Sequence, residues 1–329
     1  MKRRKFITLI GGTATTWALT AHAQQSERPR QIGMLIPFND NEPEVKARLS
    51  AFKQRLHELG WIESRSIRFD YRFTGQDAGR IRTGAEELIA LAPDVIVVWA
   101  NPAVAILQKA TQTIPIVFVG ASDPAESGFV TNLGRPGGNI TGFQNFESAI
   151  GGKWLDLLKE IAPVVRRVAF VYSPDISANL AFMHAAKAAS TSLDVTVTAA
   201  PVRSIADIEH ALTAFAKEPN GGLIVAPFPF IATNQDRVIA LASDLHLPAI
   251  YPFRYFATNG GLASYGFDTI EPHRQAASYV DRILRGEKPG NLPVQAPTKY
   301  ELVINLKTAK VLGLKVPATL LDRADEVIE

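Results

Sequence analysis

From residue 31 onward the chain alternates short apolar runs with segments whose apolar positions recur every three or four residues. Ile32, Met34, Leu35 and Ile36 form a run stopped by Pro37, which predicts a buried strand. Val45, Leu49, Phe52, Leu56 and Leu59 then recur at helical spacing and stop at Gly60, which predicts a helix closed by a C-terminal glycine. The same reading gives strands at 66–73, 94–99 and 114–119, with helices at 78–91 and 103–110 between them. Near-continuous apolar strands separated by helices predict a parallel sheet covered on both faces.

The pattern breaks over residues 120–149, where six glycines and two prolines fall, and then restarts. A helix carries Trp154, Leu157, Leu158 and Ile161. Strands follow at 168–172, 195–199, 223–226 and 249–251, with helices at 178–193, 205–216 and 234–245. The remainder predicts a strand at 262–265, a helix at 272–285, a proline-rich crossing at 289–297, a strand at 302–305 and short helices. Two similar units in tandem predict two doubly wound, Rossmann-like α/β lobes joined by a multi-crossing hinge. The lobes are expected at 30–144 with 267–297, and at 145–266 with 298–329. Several crossings let a hinge bend without letting the lobes separate.

The N-terminus changes the picture of where such a molecule works. Lys2, Arg3, Arg4 and Lys5 precede Phe6, a weakly apolar stretch and Ala21-His22-Ala23. This is the layout of a secretory signal peptide, and the paired arginines point to the twin-arginine (Tat) route, with cleavage after Ala23. The apolar run is far short of the ~20 residues needed to span a bilayer. Loss of the four basic groups takes the net charge from +3 to −1, which removes the main support for a nucleic-acid partner. The sequence has no cysteine, hence no disulfide, no thiolate metal site and no lipid-modified N-terminal Cys. The expectation is a soluble, exported protein of a Gram-negative periplasm, not lipid-anchored.

One long block carries a resemblance. Ser122-Asp123-Pro124, Ser127-Gly128-Phe129-Val130, Asn132-Leu133 and Arg135-Pro136-Gly137-Gly138-Asn139-Ile140-Thr141-Gly142-Phe143 resemble the central signature of one family. That family is the ABC-transporter substrate-binding proteins related to the tryptophan/tyrosine-type binding proteins, with the type I periplasmic-binding fold. Leu247-Pro248-Ala249-Ile250-Tyr251, the stretch 260–266 and the stretch 307–317 are similar to its later blocks. The resemblance implies two lobes that close on a small molecule and deliver it to an ABC permease in the inner membrane. The expected partners are therefore a small-molecule ligand and that permease, for a monomeric binding protein.

Ligands of open α/β sheets sit outside the carboxyl ends of the strands. That rule selects Phe38 and Asn39 after the first strand, Trp99 and Asn101 after the third, and Ser122 after the fourth. Phe143 and Asn145 lie just past the first crossing. In the second unit it selects Ser173 and Asp175, then Phe228, then Tyr251 and Arg254. The aromatics at strand ends suit a flat apolar ligand body. Phe228 and Phe230, two apart beside prolines, would point the same way in an extended loop. The loop N–H groups near Asn101 and Ser122 would hold a carboxylate, and Arg254 would either add a bidentate contact or pair with a surface acid. Asp123 reads first as a turn residue. No acidic residue is clearly placed for an α-ammonium, so an amino acid and an aromatic or other hydrophobic carboxylate both stay open.

Catalytic motifs are missing. The stretch 134–142 is neither G-x-G-x-x-G nor G-x-x-x-x-G-K-[ST]. Gly120-Ala121-Ser122-Asp123-Pro124 lacks the second glycine of a nucleophile elbow. The six histidines are dispersed, and most fall in helices where a solvent-facing His is the ordinary expectation. The chain is therefore expected not to be an enzyme, with no cofactor and no metal. Two other readings remain open: a periplasmic ligand sensor presenting its closed form to a receptor, and an exported hydrolase.

Overall fold

The computed structural model describes residues 28–329. The signal-peptide expectation at residues 1–23 lies outside the described residues. The elements in chain order begin β1 (Arg30–Ile36), α1 (Pro43–Glu58), β2 (Ile67–Phe73), α2 (Ala78–Ala90), β3 (Val95–Trp99), α3 (Ala100–Ala110), β4 (Ile116–Ala121) and β5 (Ile140–Gln144). They continue α4 (Ile150–Ile161), β6 (Arg167–Tyr172), α5 (Ser177–Ser190), β7 (Thr196–Pro201), α6 (Ile205–Phe215), β8 (Gly221–Val225), α7 (Pro229–Thr233), α8 (Gln235–Asp244) and β9 (Ala249–Tyr251). They end α9 (Arg254–Thr258), β10 (Ala263–Gly266), α10 (Glu271–Leu284), β11 (Glu301–Asn305), α11 (Leu306–Val311), α12 (Ala318–Leu321) and β12 (Glu326–Ile328).

Two sheets result. The first is all parallel in the order β2-β1-β3-β4-β5, and the second runs β12-β11-β10-β9-β8-β6-β7. The second is parallel except where β11 lies antiparallel to β10. The period of two along a strand divides the first lobe into two cores. Val95, Val97 and Trp99 of β3 pack with α1 and α10, while Ile96 and Val98 pack with α2 and α3. Trp99 thereby faces α10. Burial on this scale stabilises by roughly 1.5–3 kcal/mol per large apolar side chain.

Local chemistry sets the helix ends. Pro43 opens α1, where its missing N–H costs nothing. Asp77 caps α2 through the Arg80 N–H. Ser204 and Asp207 form a reciprocal capping box at α6. Gly151 lets α4 approach α5 so closely that a side chain there would overlap the Phe182 carbonyl.

The chain passes between sheets three times. It leaves the first sheet after β5, returns after β10 so that α10 packs on α1 and β4, and leaves again before β11. On the way back residues 292–295 run beside β5, with Gln144 N–H donating to Gln295 O (2.9 Å) and Gln295 N–H to Gly142 O (3.0 Å). Gly266 sits at one crossing against the Pro252 carbonyl, in space a Cβ would need. Four elements are absent from the periodicity reading: β5, α7, α9 and β12. β5 lies inside the glycine-rich break, and the other three are too short to complete a period.

Candidate functional site

A cavity lies where the carboxyl ends of both sheets face each other. The first lobe supplies Phe38, Trp99, Asn101 and Ser122, the first crossing supplies Asn145, and the second lobe supplies Ile176, Phe228, Phe253 and Tyr255. The crossings add Phe267, Thr269 and His273, and α1 adds Arg48. Of the sequence-selected residues, Phe38, Trp99, Asn101, Ser122, Asn145 and Phe228 come together here.

The other six lie elsewhere, each for a physical reason. Asn39 is exposed and donates to the Glu42 carboxylate (3.1 Å). Phe143 packs against Tyr279 of α10, with ring centroids 4.7 Å apart. Ser173 is fixed through its N–H to Asn179 Oδ1 (3.0 Å). Asp175 forms a bidentate surface pair with Arg203. Tyr251 is fully buried and stacked on Phe256. Arg254 takes the surface-acid alternative, 2.5 Å from Glu326. Phe228 and Phe230 do stack, with rings 13° from parallel, but Pro229 starts α7 between them and only Phe228 lines the cavity.

Asn101, Ser122 and Asn145 are committed to one another. Asn101 Nδ2 donates to Ser122 O (2.9 Å), and its Oδ1 accepts the Ser122 N–H (2.8 Å). The Ser122 hydroxyl donates to Asn145 Oδ1 (2.6 Å), while Asn145 Nδ2 donates to Gly120 O (3.0 Å). This net ties together the loops after β3, β4 and β5. It corrects the expectation that the Ser122 N–H would hold a carboxylate, because Asn101 already occupies it. Ala100, in the cavity wall at the start of α3, has φ +63°. That left-handed conformation is costly for a residue with a Cβ. Asp123 is likewise left-handed at φ +42° and accepts from the Ser148 hydroxyl. It is the turn residue that the sequence suggested.

The opposite wall contrasts with this net. Arg48 Nε, Trp99 Nε1, Tyr255 OH and His273 Nε2 are buried and have no hydrogen-bond partner. The nearest acid to Arg48 is Glu44, whose Oε2 is 3.7 Å from Nη2, too long for a hydrogen bond. The imidazole of His273 meets the Trp99 ring edge-on at 4.4 Å. Burial pushes the His273 pKa well below its ordinary value, the Arg48 charge adds to this, and the contact to the Thr269 carbonyl opposes it. Burial also pushes the Tyr255 hydroxyl pKa up, with the Arg48 charge opposing. His273 therefore departs from the expectation of a solvent-facing helical histidine.

Arg48, Tyr255 and His273 escaped the sequence reading. Arg48 stands three residues after Val45 and four before Phe52, on the stripe of α1 that packs inward. A cation on an apolar helix stripe is the signal that marks it. His273 precedes Ala276, Ala277 and Val280 on the inner stripe of α10 in the same way. Tyr255 lies in α9, too short to show a period.

The lobes also touch through exposed polar side chains. Gln76 Nε2 donates to Thr233 Oγ1 (3.1 Å), and Thr233 Oγ1 lies 3.4 Å from Glu42 Oε1. Ser127 and Ser177 hydroxyls meet at 3.5 Å. Among the described residues no group of histidine and acidic side chains could hold a metal ion, and no helix is long and apolar enough to cross a membrane.

Residues 40–328 match the family model described as ABC transporter substrate binding protein. A tyrosine-binding protein of Clostridioides difficile (strain R20291) is 22% identical over 296 residues, covering 88% of this chain and 83% of its own. Among solved structures, the ABC domain from Streptococcus pneumoniae in complex with L-Trp has a TM-score of 0.84 at 25% identity, covering 91% of this chain and 100% of its own. A conserved domain protein of Vibrio cholerae O1 biovar eltor has the same TM-score at 28% identity, also over 91% of this chain and 100% of its own.

Proposed function

Because this chain belongs to the ABC transporter substrate-binding protein family, we propose that it captures a small molecule between its lobes and hands it to an inner-membrane permease for import. The observation that carries this reading is the cavity lined from both sheets, with Gln76, Thr233 and Glu42 making hydrogen bonds from lobe to lobe. Such a site empties and fills by movement of the lobes about the three crossings. The moving bodies are 30–144 with 267–297, and 145–266 with 298–329. The protein acts as a monomer in the periplasm after export by the twin-arginine route, and it turns nothing over.

The ligand is an amino acid or an aromatic or hydrophobic carboxylate. Phe38, Trp99 and Phe228 offer faces for a flat apolar body, worth about 0.5–1.5 kcal/mol per aromatic pair beyond burial. The structural relative bound to L-Trp supports the same size class.

Small-angle scattering of the purified mature protein, with and without solutes found by thermal shift, tests this. A ligand at about 100 times its dissociation constant stabilises by about 2.7 kcal/mol, which a shift screen detects. A smaller radius of gyration with the bound solute is the expected result. A particle that binds solute without compaction contradicts the hinge-closing reading.

A further inference from the structure

Resting on the reading of this cavity as the solute site, we infer that its solute is an aromatic carboxylate without an α-amino group, held by Arg48. The charge of the wall decides the matter. Arg48 is the one permanently charged side chain lining the cavity, and no Asp or Glu lines it. Arg48 is 7% exposed, and its Nε has no partner. Its one ion pair, to Glu44, is long (3.7 Å from Oε2 to Nη2) and leaves Nε unpaired, so an anion placed against Nε satisfies a buried donor. The nearby acids Glu44 and Asp268 line a neighbouring cavity instead.

The hydrogen-bond inventory points the same way. Arg48 Nε and Trp99 Nε1 only donate, and Tyr255 OH does either. His273 Nδ1 lies 2.9 Å from the Thr269 carbonyl, which only accepts, so the ring proton sits on Nδ1. His273 Nε2 is then an acceptor, and the lowered basicity of the ring keeps it so. Among these unpartnered side-chain atoms donors exceed acceptors, and the one that only accepts is uncharged. An α-ammonium brings three donors and a full charge, and among these side chains it would find only uncharged acceptors, His273 Nε2 and the Tyr255 oxygen, and the repulsion of Arg48. A carboxylate finds Arg48 and Tyr255, one from each lobe, so its binding draws the lobes together. A single ring N–H or O–H on the ligand body matches His273 Nε2. The site therefore suits an indolyl or hydroxyphenyl alkanoate better than the corresponding amino acid.

Isothermal titration calorimetry on the full mature protein tests this with indole-3-acetate and 4-hydroxyphenylacetate, against L-tryptophan, L-tyrosine and indole-3-acetamide. The two acids should bind about 10-fold or more tighter than the amino acids, and indole-3-acetate about 30-fold or more tighter than its amide. Arg48→Gln should weaken both acids by about 30-fold or more, and Arg48→Lys should restore part of the loss. Unchanged unfolding midpoints without ligand show that either variant is folded. Tight binding of L-tryptophan or L-tyrosine that Arg48→Gln leaves intact overturns the inference while the proposed function stands. Acids that bind Arg48→Gln as well as wild type overturn it as well. If no acid gives heat but another solute compacts the protein, the inference alone fails. If no solute of any class binds or compacts it, both fail.

Discussion

The two walls of the cleft use polar residues in opposite ways. On the wall built by the loops after β3, β4 and β5, Asn101, Ser122 and Asn145 spend their polar atoms on one another and on backbone. On the wall built by α1, α9 and α10, Arg48, Tyr255 and His273 are as deeply buried, yet each keeps an atom unpaired. A satisfied buried net rigidifies a loop, whereas an unsatisfied buried group lowers stability until something pairs with it. The first wall is a satisfied architectural net, and the second is the one we propose for recognition. Residue type alone misleads, since asparagine and serine at strand ends resemble ligand anchors in any sequence.

The sharpest way to break this contrast is to truncate the satisfied wall. Asn101→Ala leaves the Ser122 N–H buried without a partner and its carbonyl with only the Ser127 hydroxyl, so unfolding free energy should fall by about 1–3 kcal/mol in a denaturant titration. A loss under about 0.5 kcal/mol would place Asn101 with the recognition wall.

A pH series separates the walls next. His273 is neutral in the fold, with its pKa depressed by burial and by Arg48, whereas the unfolded chain protonates it near pH 6.5. The stability it contributes is present above about pH 6.5 and is lost as pH falls below that value. The wild-type protein should lose up to about 1.4 kcal/mol per pH unit more than His273→Gln between pH 6.5 and 5. Parallel curves for the two proteins would show that His273 is solvated.

The smallest effect concerns Arg48 without ligand. Arg48→Met exchanges a poorly paired buried cation for an apolar side chain of similar length. Stability should stay unchanged or rise by about 1 kcal/mol, because replacing a buried charge by good packing is often neutral or favourable. A fall of 2 kcal/mol or more, an effect on the order of that for losing a well-paired buried ion, would make Arg48 a structural strut.

Much of the fold was legible because its strands are buried on both faces and read as continuous apolar runs. β1, β3 and β4 and the helices between them follow directly from positions such as Ile32, Val97 and Phe118. β5 was not legible, because Gly142 and Thr141 interrupt the apolar run; it pairs with β4 on one edge, while the neighbour on its other edge is residues 292–295, far along the chain. The antiparallel insertion of β11 beside β10 is a tertiary choice that no local period records. At the site, the strand-end rule found Phe38, Trp99 and Phe228, because topology alone puts them there. It could not find Arg48 or His273, which reach the cavity from helix faces. It also overreached at Tyr251 and Phe143, which stand at strand ends but face α9 and α10.

The most direct measurement of the difference between the walls is nitrogen-15 NMR of the side chains during titration with indole-3-acetate. Signals from Arg48 Nε–H and Trp99 Nε1–H should shift and gain protection from solvent exchange as the acid binds. The carboxamide signals of Asn101 and Asn145 should keep the positions set by their internal partners. Large shifts at those carboxamides with Arg48 unmoved would reverse the assignment of the two walls and contradict the account.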